Sequence, residues 1–320
     1  MRAVQVTEHG GPEVLKMVDI DSPELPADHV LVASAAAGVN YIDTYQREGT
    51  YPIPTPFTLG LEGAGRVQQV GSDVSGISVG DSVAWKQAKG SYAQQVAVPA
   101  TESVPVPEGV GLEQAAAVML QGLTAHYLAT STYPIQPGDW AVVHAGAGGV
   151  GPLLTEIVKK LGGRVLTTTS TAEKAELSRS AGADEVASYD DFAARVKELT
   201  GGEGAAVVYD GVGKTTFDQS LRALRVRGTM VLYGAASGPV PPVDPQTLNS
   251  GGALYLTRPT LWHYTRDRAE LTARTDELFG WIADGSVTVR IGGRYDLAEA
   301  TQAHIDLQSR RTTGKLLLTV

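Results

Sequence analysis

The segment Trp140-Ala-Val-Val-His-Ala-Gly-Ala-Gly-Gly-Val-Gly151 restricts this chain more than any other. A short apolar run passes into a glycine turn that opens a helix, and Gly146, Gly148 and Gly151 fit the pattern G-x-G-x-x-G. Such a turn lets backbone N–H groups approach a pyrophosphate at a helix N-terminus, where the helix dipole also favours an anion. The pattern by itself also occurs in plain glycine-rich turns. Its place at a strand–helix junction is what points to a dinucleotide site built from Gly146, Ala147, Gly148, Gly149, Val150 and Gly151.

The pattern of the chain changes around this segment. Residues 1 to about 121 read as β-rich, with short alternating runs (Arg2–Val6, Val30–Ala37, Gly63–Val70, Asp81–Trp85, Tyr92–Val98) set off by Gly, Pro and Asp turns. Close-set strands of this kind predict a compact barrel. From Gly122 strands and helices alternate. Strands are predicted at 140–145, 164–169, 185–188, 206–209, 229–233 and 254–257, with helices at about 150–161, 172–180, 191–199 and 215–224. Repeated βα units imply a doubly wound parallel sheet with right-handed crossovers and a ligand at the carboxyl ends of its strands. After Arg258 a helix is expected over Glu270–Ala283, a strand at Val287–Ile291, a helix at Leu297–Ser309 and a last strand at Lys315–Val320. The expectation is an α/β chain of two domains: 1–121 with 259–320, and an inserted nucleotide domain, 122–258.

Composition excludes several function classes. With 320 residues there is material for two cores. A net charge of −9 disfavours a general affinity for nucleic acid. The chain has no cysteine, which removes disulfides, thiolate nucleophiles and cysteine-ligated metals, and fits a cytoplasmic protein. No apolar run approaches the ~20 residues of a membrane span, and the N-terminal residues carry no signal-peptide pattern.

The second strand bears on which nucleotide is bound. An NAD site places Asp or Glu about 20 residues after the first glycine, on the ribose 2′-hydroxyl. Here that count reaches Thr167-Thr-Thr-Ser170-Thr-Ala-Glu-Lys174, where hydroxyls and a lysine stand and no acid ends the strand. Ser170 and Lys174 suit a 2′-phosphate, hence NADPH. The competing reading makes Ser170-x-x-Glu173 a capping box and Lys174 a solvated first-turn residue.

Several stretches match a known family in order along the whole chain. They are Gly38-Val-Asn-Tyr-Ile-Asp-Thr-Tyr45, Tyr51-Pro, Gly60-Leu-Glu-Gly-Ala-Gly65, Gly80-Asp-Ser-Val83, Gly122-Leu-Thr-Ala125, His144 to Gly151, Val208-Tyr-Asp-Gly-Val-Gly213, Leu256-Thr-Arg-Pro259 and Thr313-Gly-Lys315. The chain resembles the zeta-crystallin-type NADPH quinone oxidoreductases of the medium-chain dehydrogenase/reductase superfamily. The resemblance implies a GroES-like barrel domain and a Rossmann domain. It departs from the family pattern at Val142 and Glu156, where leucine and glutamine are usual. Zinc-dependent relatives carry a cysteine near the position of Asn40 and a His-Glu pair in the Gly-x-Glu turn, where this chain has Leu61-Glu62. Glu62 alone cannot make a zinc site, so no metal is expected.

The resemblance also suggests roles. Asn40, Tyr41 and Tyr45 fall where the family's first domain faces the nicotinamide, with Asn40 able to bind the cofactor or a substrate carbonyl; a plain turn residue is the alternative. Tyr45 and Tyr51 can line a slot for a quinone ring or simply pack under a proline-rich loop. Thr124 can bond the nicotinamide ribose or phosphate, or serve as a helix hydroxyl. Tyr189 is a candidate for the adenosine end or a surface residue. Gly213 belongs to one of the matching stretches. Tyr233, Gly234 and Ala235 either pass the nicotinamide or form a strand-end turn. Arg258 is a candidate near the reacting groups, and Arg310 a candidate cofactor contact with a solvated alternative.

These readings converge on an NADPH-dependent reductase of quinones, without a metal. A 2-alkenal or enone double-bond reductase is the alternative within the enzyme class, and a nucleotide-dependent RNA-binding protein the alternative outside it. The apolar segment Gly252–Thr257 would be an exposed sheet edge, which predicts a homodimer through the nucleotide-domain edges.

Overall fold

His29–Val39 is a nearly continuous run of small and branched apolar residues over eleven positions, and it forms the longest strand of the protein. The computed structural model describes residues 1–320. Two units emerge from its contacts, one of Met1–Leu120, Arg266–Gly285 and Val289–Val320, the other of Gln121–Thr265 and Ser286–Thr288.

The first unit begins with β1 (Arg2–Val6), β2 (Leu15–Asp19), β3 (His29–Val39), β4 (Phe57–Thr58), β5 (Gly63–Val70), β6 (Ser82–Trp85), β7 (Gln95–Pro99) and β8 (Val104–Pro105). β1 pairs antiparallel with β2 and β4. β3 pairs antiparallel with β5 and β7, and two register shifts against β5 bend it, as corners of a rolled sheet require. The inward residues Val30, Val32, Val67, Val83, Trp85, Val96 and Val98 make one core cluster. Two helices that the β-rich reading does not name interrupt the strands, Tyr41–Glu48 and Leu112–Val118. The first starts where Asp43 accepts the Asn40 backbone N–H (2.8 Å) and stops at Gly49. In the second, Gln114 does the same for Gly111 (3.0 Å).

The second unit holds β9 (Trp140–Val143), β10 (Arg164–Thr168), β11 (Glu185–Ala187), β12 (Ala205–Asp210), β13 (Leu224–Leu232) and β14 (Tyr255–Thr257), in the sheet order β11-β10-β9-β12-β13-β14. Every pair is parallel. The order is that of a dinucleotide-binding doubly wound sheet, with its switch point at β9. The helices Gly151–Lys160, Ala172–Ser180, Phe192–Leu199 and Phe217–Ala223 follow successive strands. Helix Gly151–Lys160 buries Leu153, Leu154, Ile157 and Val158 along one stripe and places Lys159 and Lys160 in its last turn, where the dipole favours cations. Residues 259–265, which the sequence reading places with the first domain, lie in this unit, where Tyr264 stacks on Tyr127 at 4.4 Å.

The chain returns to the first unit through helix Arg268–Ala283, β15 (Ile291–Asp296), helix Ala300–Gln308 and β16 (Lys315–Thr319). β16 pairs parallel with β15 and antiparallel with β3. The strand expected at Val287–Ile291 is absent: Val287 is buried as a single anchor, and the Thr288 N–H goes to Glu156 (2.6 Å). Pairing begins only at Ile291, where two glycines had hidden the strand pattern. The helix expected over Leu297–Ser309 opens with a 3-10 turn, Leu297–Glu299.

Candidate active site

β9 ends at Val143, and residues 144–150 turn into helix Gly151–Lys160. The left-handed residue of this turn is Ala145 (φ 54°), so the glycines are not there to supply a left-handed backbone. They are there for space. A Cβ on Gly146 would lie 2.5 Å from Ser178 Oγ, one on Gly149 2.3 Å from the Gln121 side chain, and one on Gly151 2.3 Å from the Ala145 carbonyl. Ala147 is buried, while Gly148, Gly149 and Val150 are half-buried at the helix N-terminus, where their N–H groups suit an anion. These residues fit a dinucleotide pyrophosphate.

β10 ends at Thr168, and the next helix is capped by Thr171, whose Oγ1 accepts the Lys174 N–H (3.2 Å). The capping-box reading of Ser170 is therefore displaced by one residue. Ser170 stays exposed outside the helix, and Lys174 is half-buried in the first turn. Tyr189, after β11, is half-buried with its ring 6.0 Å from that of His144, nearly parallel at 24°.

The end of β12 is organised by Asp210, a fully buried carboxylate. Its Oδ1 accepts the N–H groups of Val212 (2.8 Å) and Gly213 (2.9 Å), and its Oδ2 accepts the Thr216 hydroxyl (2.7 Å). Gly213 has φ 88°. The next strand end packs directly on this turn: a Cβ on Gly234 would meet the Gly211 carbonyl at 2.5 Å, one on Gly213 would meet Ala235 Cα at 3.1 Å, and the Tyr233 ring covers Gly211. Burial, then the Asp210 charge, pushes the Tyr233 phenol up, so it stays a neutral donor. Thr124 is buried in helix Gln121–Tyr127, and Arg258 is exposed just beyond β14. Thus the glycine turn, Ser170, Lys174, Tyr189, Gly213, Tyr233–Ala235 and Arg258 all follow the carboxyl ends of strands of one sheet, while Thr124 sits on a helix. His144 and Asp210 carry the polar order of this edge, and neither was assigned from sequence, because a histidine and an aspartate at strand ends have no distinguishing spacing.

In the first unit Asn40 caps helix Tyr41–Glu48 and is buried. Both ends of its amide are engaged: Nδ2 donates to Glu62 Oε1 (2.6 Å) and Oδ1 accepts from Lys315 Nζ (2.7 Å). Lys315 also pairs with Glu62 Oε1, and Glu62 Oε2 accepts the Leu120 N–H (2.6 Å). Gly38 makes room for this carboxylate, since a Cβ there would lie 2.2 Å from Glu62 Oε1. The donor set does not fit zinc: the one carboxylate at this position is neutralised by an ammonium and surrounded by donors, and no three His, Asp or Glu side chains converge to hold a metal.

On the same helix, Asp43 Oδ2 also accepts the Tyr92 hydroxyl (2.8 Å), which in turn meets His304 Nε2 (3.3 Å), and His304 Nδ1 meets Arg47 (2.9 Å). Burial pushes the Asp43 carboxyl up to about 7, and burial with the Arg47 charge lowers His304 to about 3. The Tyr41 hydroxyl donates to the Leu307 carbonyl (3.1 Å) and lies against Arg310, which takes φ 58° just past the last helix. Burial raises the Tyr41 phenol and Arg310 opposes that rise. Tyr45 and exposed Tyr51 meet edge to face at 5.6 Å.

Comparison with known proteins agrees with this geometry. Residues 26–108 match the alcohol dehydrogenase GroES-like domain family, and residues 149–269 the zinc-binding dehydrogenase family. The chain is 44% identical to a quinone oxidoreductase of Pseudomonas aeruginosa, covering 99% of both chains. It is 37% identical to a 2-haloacrylate reductase of a Burkholderia species, over 99% of this chain and 98% of the other. A mycobacterial structure complexed with NADPH superimposes with a TM-score of 0.98 at 52% identity, covering 100% of each chain. A barrel unit, a doubly wound dinucleotide unit and full-length relatives of this kind place the chain in the quinone oxidoreductase family of the medium-chain dehydrogenase/reductase superfamily.

Proposed function

We propose that this protein reduces quinones with NADPH and without a metal. The observation that carries the reading is the sheet edge itself, a pyrophosphate turn at the end of β9 beside a β10 that ends in hydroxyls and Lys174 where an NAD site has an acid. When bound, NADPH supplies the hydride. The chain's residues do the rest. N–H groups at 148–150 hold the pyrophosphate, Ser170 and Lys174 hold the 2′-phosphate, and the 211–213 and 233–235 turns present close-packed backbone to the nicotinamide end. Asn40, held by Glu62 and Lys315, offers a fixed amide, and in the edge-to-face Tyr45–Tyr51 pair one ring braces the other as an aromatic face for a substrate ring. Thr124, Tyr41, Arg258 and Arg310 are assigned supporting contacts.

The relative named 2-haloacrylate reductase favours a second reading, reduction of an activated C=C bond. Steady-state assays with NADPH against a panel of quinones and α,β-unsaturated carbonyls separate the two. Quinone turnover is expected. Turnover of enones alone favours the second reading, and turnover of neither overturns both.

Two further elements belong to the proposal. Strand β14 is a sheet edge with exposed Tyr255 (61%) and, nearby, Val226 (68%), which suits two-fold pairing of two copies. A cytoplasmic location is supported by a cysteine-free chain. No helix is long and apolar enough to cross a membrane.

A further inference from the structure

His144, completely buried at the end of β9, is the hub of a hydrogen-bond line that crosses the carboxyl edge of the sheet. Its Nδ1 lies 2.9 Å from Thr168 Oγ1, the last residue of β10, and its Nε2 2.8 Å from Ser220 Oγ. The single Ser220 hydroxyl proton is shared between the Thr216 carbonyl (2.9 Å) and Asp210 Oδ2 (3.2 Å). Its lone pairs therefore face His144, which assigns the Nε2–H tautomer and makes Nδ1 the acceptor of the Thr168 hydroxyl. The line then runs in one sense, Thr168 to His144 to Ser220 to Asp210, and ends on the carboxylate that gathers the Val212 and Gly213 N–H groups. Tyr189, from the end of β11, stacks on the same imidazole. Burial lowers the affinity of His144 for a second proton, consistent with the neutral ring this line needs.

We infer that His144 is a positioning residue that fixes the spacing between the two halves of the cofactor cradle. On one side Thr168 leads directly to Ser170 and Lys174; on the other Asp210 holds the turn at Gly213. A dinucleotide must be met by both at once, so a brace between them contributes to binding of the whole cofactor and little to binding of either half. The inference rests on the NADPH reading.

The test compares affinities for NADPH and for 2′,5′-ADP, the adenosine half alone, by fluorescence titration and calorimetry. His144→Phe keeps the ring and removes both hydrogen bonds; Thr168→Val, nearly isosteric, removes one link and guards against a failure of the first variant to fold. For His144→Phe, NADPH affinity is expected to fall about tenfold or more while 2′,5′-ADP affinity changes less than about threefold. Thr168→Val should show the same split, smaller. His144→Asn, whose amide can still meet Thr168, should recover part of the NADPH loss. Equal losses for both ligands, or undiminished NADPH binding in both variants, overturn the brace. If the wild-type protein binds 2′,5′-ADP and NADPH no better than 5′-AMP and NADH, the cofactor reading itself fails, and the inference with it.

Discussion

Lys315 Nζ donates to Asn40 Oδ1 over 2.7 Å across 275 residues of sequence, with both side chains buried. The same ammonium neutralises Glu62, so the buried site between Asn40 and Glu62 holds an internal cation of the chain itself. Removing one partner of a buried pair strands the other charge. Lys315→Met should cost about 3–5 kcal/mol of stability, and adding Glu62→Gln should recover part of it. Urea denaturation of the two single variants and the double variant checks this; additive losses would count against the pairing.

Asp43 and His304, joined through Tyr92, pull the pH dependence of stability in opposite directions. Asp43 is raised to about 7 in the fold, so the folded state holds its proton more tightly and this contribution is lost as pH rises from about 4 through 7. His304 is depressed to about 3, so the unfolded state binds the proton and stability grows as pH rises from about 3 to 6.5. The slopes, up to ~1.4 kcal/mol per pH unit each, offset one another over the shared range. Asp43→Asn removes the falling one. Relative to wild type its stability should climb with pH between about 4 and 6.5, and parallel profiles would refute the assignment.

Gly151 and Gly148 should differ when replaced by alanine. At Gly151 the new Cβ meets rigid backbone, the Ala145 carbonyl at 2.3 Å and Gly146 Cα at 2.9 Å, and a stability loss of about 1–3 kcal/mol is expected. At Gly148 the nearest atom, the Ala145 carbonyl oxygen, is 3.2 Å away, so the stability loss should be smaller while NADPH affinity falls, because the added methyl would crowd the proposed pyrophosphate turn. Thermal melts paired with NADPH titrations separate the two.

Lys174→Glu places a carboxylate where the 2′-phosphate is expected. NADPH binding should weaken by about tenfold or more and NADH binding far less. Equal losses measured by titration would remove the phosphate role of Lys174.

Tyr255→Lys puts a charge on the β14 edge. Sedimentation of the wild type at micromolar concentration should show a dimer, and the variant should shift toward monomer. A wild type that sediments only as monomer overturns the pairing.

The βα succession from Trp140 to Thr257 was legible because each parallel strand is a short apolar run and each helix a 3.6-residue stripe, signals that sit within a dozen residues. The glycine turn was legible for the same reason. Helix Tyr41–Glu48 was not, because its start depends on one aspartate and its apolar face is sparse, and the edge strand Ile291–Asp296 was not, because Gly292 and Gly293 erase the alternation. The alternative reading of Ser170 as a cap falls one residue early, since Thr171 beside it has the same chemistry and caps the helix.

The sequence by itself therefore determined the two-unit α/β plan and the glycine turn between β9 and its helix, and it pointed to NADPH, all of which follow from local periodicity and near-neighbour chemistry. Only the tertiary structure decided that Lys315 occupies the side of Asn40 and Glu62, that Asp43 and His304 share Tyr92, and that His144 links Thr168 of β10, through Ser220, to Asp210 at the end of β12. Those relationships pair residues far apart in the chain, and a buried polar side chain finds its partner only when strand order and register have brought the two together.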